Sequence, residues 1–159
     1  MSARPLLFLD VDGPLIPFGA AGGYPTFQAA PSGNPLVERV DPALGPRLAG
    51  LGCDLVWATT WTDEANEVIA PVLGLPDLPV VEWPDTSDED LCHGLHWKTR
   101  AVCDWAAGRT FVWVDDEITG ADQDWVAGHY TGDALLYRVD ASRGLVTADF
   151  AALAAWLRG

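Results

Sequence analysis

Basic residues are scarce in this chain of 159 residues, which carries 9 Lys and Arg against 23 Asp and Glu, a formal charge of −14. A net charge of this sign repels polyanions at long range. We therefore do not expect strong binding of nucleic acid or of an anionic membrane surface. Part of the acidity is suited to neutralisation by a bound cation.

Other features are missing as well. No apolar run reaches the length of a membrane span, and no basic segment followed by an apolar stretch and a cleavage site marks an export signal. The expected location is therefore the cytoplasm. Only three cysteines are present, Cys53, Cys92 and Cys103, and their odd number and irregular spacing indicate reduced thiols rather than a disulfide framework.

Hydrophobic residues are plentiful, at 49%, which suffices for one globular domain over residues 1–159. Short apolar runs that suit a sheet buried on both faces predict five strands, at residues 6–9, 55–58, 79–81, 110–114 and 134–139. Helical patterns separate these runs. The alternation predicts an α/β fold, a three-layer sandwich around a central parallel sheet of five strands.

The predicted helices are marked by their boundary residues. The first helix follows Asp41 and Pro42, and the second is capped by Thr62 and ended or kinked by Pro71. The third helix spans about 98–107. The fourth surrounds Trp125, and the last starts near Thr147. Two stretches interrupt the alternation. Residues 14–40 contain five prolines, and residues 83–96 form an acidic loop. Irregular segments of this length in a compact domain are often functional.

Two of the predicted strands end in polar side chains. Asp10 and Asp12 follow the first strand, with Gly13 allowing a sharp turn, and open α/β sheets place ligands at such strand ends. Two acids at this spacing suit a hard cation and acid–base chemistry, although a solvated strand end is the simpler explanation. Thr59 and Thr60 end the second strand and suit a phosphate oxygen, although helix capping explains them equally well.

Two further motifs come later in the chain. Lys98 stands at a predicted helix start, where its charge opposes the helix dipole and would favour a compensating anion. An ordinary surface lysine is the alternative. Asp115, Asp116 and Glu117 follow a strongly apolar strand, and like charges crowded together raise one another's pKa unless a cation neutralises them. A divalent metal is the simplest neutraliser, and an acidic turn is the alternative.

Taken in order, these motifs resemble those of the haloacid dehalogenase-like (HAD) hydrolase superfamily, in its capless phosphatase-type form. The resemblance implies the HAD-like Rossmannoid fold. Response-regulator receivers use a similar set of residues, but there the acidic pair comes early and the lysine last. The residues that carry the resemblance are Asp10-Val11-Asp12-Gly13, then Thr59, then Lys98, then Asp115-Asp116.

The resemblance implies a role for each catalytic residue. Asp10 would attack phosphorus and form an aspartyl-phosphate, and Asp12 would protonate the leaving oxygen and then activate water. Thr59, or Thr60 in its place, would bind the transferring phosphoryl group. Lys98 would offset the charge of Asp10 and of the phosphoryl oxygens.

The same resemblance implies a Mg²⁺ ion. Its ligands would be Asp10, the backbone carbonyl of Asp12, and Asp116, with Asp115 near or in the coordination shell. Whether Asp115 or Asp116 is the direct ligand stays open at this point. Asp122 and Asp124 follow in the chain, and helix capping or solvation explains them better than an outer-shell contact to the metal.

A zinc site is a weaker alternative. Cys92, His93 and His96 lie close together in the chain, but no second pair of ligands completes a tetrahedral site. His129 is expected at the surface.

Several functions remain compatible with the motifs. A Mg²⁺-dependent phosphomonoester hydrolase is the main hypothesis, and the alternatives are a phosphotransferase of the same superfamily and a non-catalytic binding or regulatory module. A dehalogenase is disfavoured because such enzymes usually lack the second aspartate, here Asp12.

Substrate access depends on the segments that could cover the site. No cap domain fits between Thr59 and Lys98, and residues 14–40 can form a flap but hardly a folded lid. Pro14 follows Gly13 where many relatives have Thr or Val, so this flap has its own shape. We therefore expect an open site and a phosphorylated small molecule or protein as substrate, and the charge argues against nucleic acid.

Overall fold

The computed structural model describes residues 4–27, 35–83 and 95–159. Four parallel strands form the sheet in the order β2-β1-β3-β4. They span Leu6–Leu9 (β1), Asp54–Trp57 (β2), Phe111–Asp115 (β3) and Ala134–Arg138 (β4). The register pairs Leu6 with both Asp54 and Phe111, so β1 lies at the centre with its carboxyl end beside those of β2 and β3.

The helices lie in two layers because successive strand residues face opposite sides of the sheet. Leu7 and Leu9 point into one apolar cluster, whereas Leu6 and Phe8 point into the other. Helices α1 (Leu44–Ala49), α2 (Ala70–Leu73) and α5 (Thr147–Arg158) contribute to the first cluster. Helices α3 (Thr99–Ala106) and α4 (Gly120–His129) contribute to the second. The predicted three-layer α/β sandwich is confirmed.

The sheet has four strands rather than the predicted five. The run at 79–81 makes only a single parallel bridge, between Val80 and Trp57 at the outer edge of β2. Two backbone hydrogen bonds join this segment to Trp57. The Trp57 N–H donates to the Pro79 carbonyl, and the Val81 N–H donates to the Trp57 carbonyl. The run begins with Pro79, which has no N–H to donate, and its three residues are too few to extend the ladder beyond this point.

The second predicted helix begins differently from the prediction. Thr62 does not cap it, since its backbone has a positive φ of 48° and the helical segment begins at Ala65 after Glu64. The first five residues, Ala65–Ile69, are π-helical, and α2 follows directly. Pro71 has no N–H to donate within the helix, and a widened turn just before it accommodates this loss.

The described part of the segment at 14–40 contains little regular structure. Asp12 and Ile16 form an isolated bridge, and a short 3₁₀-helix spans Pro35–Arg39. Hydrogen bonds from Leu145 to the Pro14 carbonyl and from Phe18 to the Ala141 carbonyl tie this segment to the loop after β4. Within residues 4–27, 35–83 and 95–159, no separate folded lid is present.

Two of the three cysteines, Cys53 and Cys103, are free and buried; Cys92 lies outside the described residues. Across the described ranges, no helix combines the length and apolar character needed to cross a membrane.

Candidate active site at the carboxyl edge of the sheet

Three adjacent strands deliver polar residues to one point. Asp10 directly follows β1, Thr59 follows β2 after Ala58, and Asp115 ends β3. Backbone hydrogen bonds extend the sheet into this region, from Asp10 N to Val114 O at 3.1 Å and from Ala58 N to Leu9 O at 2.9 Å. The strand ends hold these side chains rigidly, and Asp10 is only 4% exposed.

Lys98, the only lysine of the chain, lies at the centre of this cluster. Its Nζ donates to Asp115 Oδ2 at 2.8 Å and to the Ala58 carbonyl at 2.9 Å, and lies 3.1 Å from Asp10 Oδ1. The ammonium has three donors, and these three oxygens match them. The residue is 2% exposed, so the surface-lysine alternative is wrong.

Asp10, Asp115 and Asp116 bring their carboxylate oxygens within 4.8 Å of one another. Asp115 is fully buried, and its Oδ1 accepts a hydrogen bond from Glu117 N at 3.0 Å. Asp116 is partly exposed and lies against Gly13, where a Cβ atom would come within 2.7 Å of the Asp116 Cγ. Glycine at position 13 therefore leaves room for the Asp116 carboxylate.

The pKa values of this cluster show an excess of buried negative charge. Burial, together with the smaller effect of the Asp115 charge, raises the pKa of Asp10 to about 8 in spite of the nearby Lys98 ammonium. Burial, followed by the charge of Asp115, raises the pKa of Asp116 to about 6. Burial alone would lower the pKa of Lys98, but the charges of Asp10 and Asp115 outweigh it, so the net shift is upward. One ammonium does not neutralise these carboxylates.

These observations test whether the residues fit a hard divalent cation. Three carboxylates converge, two of them have raised pKa values, and Asp116 is partly open to solvent. Oxygen donors of this kind are the ligands that Mg²⁺ prefers. The donor set fits.

The Asp12 side chain lies apart from this set. It is half-buried, and its Oδ2 accepts a hydrogen bond from the indole Nε1 of Trp61 at 3.1 Å. The turn beside it depends on Gly13, which has a φ of 102° and donates its N–H to the Ile16 carbonyl at 3.0 Å. Among the described residues, the cluster of potential metal ligands includes no Asp12 carboxylate oxygen.

Thr59 and Thr60 differ in their surroundings. Thr59 is fully buried, and its Oγ1 accepts a hydrogen bond from Trp61 N at 3.2 Å, whereas Thr60 is exposed. A hydroxyl that accepts one bond still has a proton to donate, so Thr59 is suited to bind a phosphate oxygen. The Thr59 carbonyl accepts from Trp83 Nε1 at 3.0 Å, which fixes the strand end further.

Tryptophans form part of the surroundings that sequence reasoning did not assign to the site. The Lys98 ammonium lies 5.8 Å from the ring centre of Trp83 and 5.4 Å from that of Trp97. These two rings pack edge to face, and Trp61 contacts Asp12. No motif links these residues to the acids, so the only signal in the sequence was the high number of tryptophans, 8 in 159 residues.

Asp122 holds the Lys98 segment in place. Its carboxylate is fully buried and accepts hydrogen bonds from His96 N at 2.7 Å and from Thr99 Oγ1 at 2.8 Å. It also accepts from Thr119 N at 2.9 Å within a capping box at the start of α4. The capping interpretation of Asp122 is therefore confirmed, and the spacing Thr119-x-x-Asp122 was the sequence signal for it.

The possible zinc ligands are only partly described. Cys92 and His93 lie outside the described residues, and His96 accepts a hydrogen bond from Lys98 N through Nδ1 at 3.2 Å. His129, at the end of α4, is exposed and stacks on Trp125, in line with the expectation of a surface position.

The sheet is parallel, with carboxylates at the carboxyl ends of β1 and β3, a threonine after β2 and a lysine at the start of α3. This arrangement defines the HAD-like class of hydrolases and phosphotransferases. Comparison with known families agrees, because the family model described as "HAD domain in Swiss Army Knife RNA repair proteins" matches residues 6–150. The chain belongs to this family. No curated protein and no solved structure matches the sequence significantly.

Proposed function

We propose that the protein is a Mg²⁺-dependent phosphomonoester hydrolase that acts through an aspartyl-phosphate on Asp10. The observation that carries this proposal is the placement of Asp10 at the end of the central strand, 3.1 Å from the Lys98 ammonium and within 4.8 Å of two further carboxylates. A purely structural ion pair would not need this excess of buried negative charge. Asp12 follows the same central strand and supplies an acid, and Thr59 follows the neighbouring strand β2 and supplies a hydroxyl.

In the first half of the reaction, a carboxylate oxygen of Asp10 attacks phosphorus and the ester P–O bond breaks. Asp12 donates its proton to the departing alcohol oxygen. The Thr59 hydroxyl binds a phosphoryl oxygen, and the charge of Lys98 offsets the negative charge that accumulates.

In the second half, water attacks the phosphorus of the aspartyl-phosphate, and Asp12 accepts the proton of that water. Inorganic phosphate leaves, and both the Asp10 carboxylate and the protonated Asp12 are regenerated. No other reactant is needed.

The residues that would hold Mg²⁺ are Asp10, the backbone carbonyl of Asp12, and Asp116, with Asp115 in contact with Lys98 beside them. When bound, the ion supplies positive charge that neutralises the carboxylates and the phosphoryl group. Between the two candidates, Asp116 is favoured as the direct ligand because Asp115 is fully buried and already bonded to Lys98 and to Glu117 N.

The proposed substrate is a phosphorylated small molecule or protein. This choice rests on the charge of −14, which disfavours polyanions, and on the absence of a folded lid among the described residues. A phosphorylated RNA end is the second candidate, and the description of the matched family as a domain of RNA repair proteins favours it.

The test measures phosphate release with and without Mg²⁺ from three classes of substrate: small phosphomonoesters, phosphopeptides, and short RNA carrying a 3′- or 5′-phosphate. We expect Asp10→Asn to reduce turnover by several orders of magnitude while the fold is retained. Trapping of ³²P on the wild type but not on Asp10→Asn would support the covalent step.

Three outcomes distinguish the alternatives. Near-native turnover by Asp10→Asn would overturn the covalent mechanism. Transfer of the phosphoryl group to an added alcohol in preference to water would identify a phosphotransferase. Binding of phosphorylated ligands without turnover would identify a non-catalytic module.

A further inference from the structure

Trp61 contacts two proposed active-site residues at once. Its indole Nε1 donates to Asp12 Oδ2 at 3.1 Å, and its backbone N donates to Thr59 Oγ1 at 3.2 Å. Asp12 and Trp61 are 49 residues apart in the chain, so this contact exists only because β1 and β2 are neighbours in the sheet.

The loop holds the indole firmly in this position. The ring is half-buried and packs against the apolar cluster on the α1 side of the sheet. Thr62 follows with a φ of 48°, an uncommon value for a residue with a β-branched side chain, and donates its N–H to the Thr59 carbonyl at 3.2 Å. Such a backbone conformation persists only where surrounding contacts impose it.

The indole N–H can only donate a hydrogen bond. The Asp12 oxygen facing it, Oδ2, must therefore act as an acceptor in every protonation state. When Asp12 is protonated, this bond favours the proton on Oδ1, because a carbonyl oxygen accepts a hydrogen bond more strongly than a carboxylic O–H oxygen does. The oxygen that gives and takes the proton is thereby selected, and the carboxyl group loses its freedom to rotate.

We infer that Trp61 is a positioning residue for the proton transfers of Asp12, and that it couples the orientation of Asp12 to that of Thr59. This inference rests on the proposed phosphohydrolase function and extends it to a residue outside the recognised motifs. The phosphoryl-binding hydroxyl and the acid–base carboxyl are aligned by one side chain and its own backbone amide.

The test compares Trp61→Phe with Trp156→Phe. Phenylalanine retains an aromatic ring but removes the N–H. Trp156 is a matched control because it is also half-buried against the same apolar cluster, yet it lies near Pro5 and Thr110 at the opposite edge of the sheet.

The readout is the dependence of kcat on the leaving group. Alkyl phosphates need a proton from Asp12, whereas an aryl phosphate with a strongly acidic phenol does not. We expect Trp61→Phe to lower kcat for alkyl phosphates about 10- to 100-fold, the loss expected for one hydrogen bond to an ionisable group. For dinitrophenyl phosphate the change should stay within about threefold, and Trp156→Phe should alter neither.

A double-mutant cycle adds a second criterion. In an Asp12→Asn background the acid is already lost, so Trp61→Phe should have no further effect on alkyl phosphates. Equal losses for both classes of leaving group, or additive losses in the double variant, would overturn the positioning role and indicate a general effect of packing.

One measurement does not depend on turnover. The indole N–H resonance that disappears in Trp61→Phe should be slow to exchange with solvent in the wild type and fast in Asp12→Ala. Fast exchange in the wild type would show that the hydrogen bond does not form. If the wild type lacks phosphatase activity while this resonance is protected, the proposed function fails and the catalytic role of Trp61 fails with it, but the contact stands.

Discussion

Lys98 balances the charge of the site at the scale of single residues. It is the only lysine of the chain, it is 2% exposed, and its ammonium is bonded to oxygens at the carboxyl ends of three different strands. Without this cation, Asp10 and Asp115 would be buried with no opposite charge among the described residues around them. Removing one member of a buried ion pair is costly for this reason.

We predict that Lys98→Met destabilises the metal-free protein by about 3–5 kcal/mol, the usual cost of an uncompensated buried charge. Urea denaturation in EDTA measures this loss. Added Mg²⁺ should restore part of it, because the ion neutralises the same carboxylates. Arg158→Met, at the exposed end of α5, serves as the control and should change stability little. An unchanged midpoint for Lys98→Met would contradict the assigned charge balance.

The raised pKa of Asp10 predicts how stability depends on pH. Between the ordinary value of 3.8 and the folded value of about 8, the folded protein binds more protons than the unfolded chain. The free energy of unfolding contributed by this group is therefore largest below pH 4 and declines as the pH rises towards 8. Asp116 adds a decline of the same sign, from 3.8 to about 6.

The measurement is the melting temperature in EDTA from pH 5 to pH 8, for the wild type and for Asp10→Asn. We expect the decline with pH to be weaker in Asp10→Asn, and the stabilisation by Mg²⁺ to be greater at pH 8 than at pH 5. Parallel curves for the two proteins would show that Asp10 does not titrate in this range.

At the scale of secondary-structure elements, the turn after β1 determines whether Asp116 can approach Asp10 and Asp115. Gly13 and Gly19 both have positive φ values, 102° and 92°, but only Gly13 lies against another residue. A Cβ at Gly13 would collide with Asp116, whereas a Cβ at Gly19 would meet nothing within 4 Å. Alanine substitutions at the two positions therefore distinguish the effect of backbone strain, which both share, from the effect of displacing Asp116, which only Gly13→Ala has.

We predict that Gly13→Ala and Gly19→Ala each lower the free energy of unfolding by about 1–3 kcal/mol because of backbone strain. Gly13→Ala should lower it further, because the added Cβ collides with Asp116. Only Gly13→Ala should weaken the Mg²⁺-induced rise in melting temperature, because it displaces Asp116. Thermal denaturation across a Mg²⁺ titration tests both statements. Equal Mg²⁺ responses in the two variants would show that Asp116 does not contact the ion.

At the scale of the whole molecule, the proposed active site is not covered by a second domain within the described residues. The loop that follows Gly13 is exposed at its tip, where Ala20 N donates to the Tyr24 hydroxyl at 2.8 Å. This loop starts beside Asp10 and Asp12, the proposed catalytic acids, so it is the part of the chain best placed to contact the bulk of a large substrate.

We predict that replacing residues 20–23 by two glycines raises KM for bulky phosphomonoesters several-fold and leaves kcat nearly unchanged. Methyl phosphate is the internal control, because it is too small to reach the tip, and its KM should not change. Steady-state kinetics on both substrates measures the effect. A large fall in kcat for methyl phosphate would show that the loop supports the chemistry itself.

Much of the fold followed from local patterns. The apolar runs at 6–9 and 110–114 lie within or next to observed strands, and the helix patterns near 98–107, Trp125 and Thr147 each correspond to an observed helix. Their signals are strong because a strand buried on both faces must be apolar throughout. Two predictions were wrong, the strand at 79–81 and the helix cap at Thr62. A three-residue strand and a loop conformation both depend on neighbours that are distant in the chain.

The sequence by itself determined the order of the acids, threonine and lysine, and the strand ends that carry them. Parallel strands then bring those ends to one edge, so the meeting of Asp10, Thr59 and Asp115 could be predicted. Only the tertiary structure decided that Trp61 bonds to Asp12, that Asp122 holds the Lys98 segment, and that Asp116 packs against Gly13. Each of these contacts involves at least one loop, and the path of a loop is set by the surfaces on which it packs rather than by its own residues.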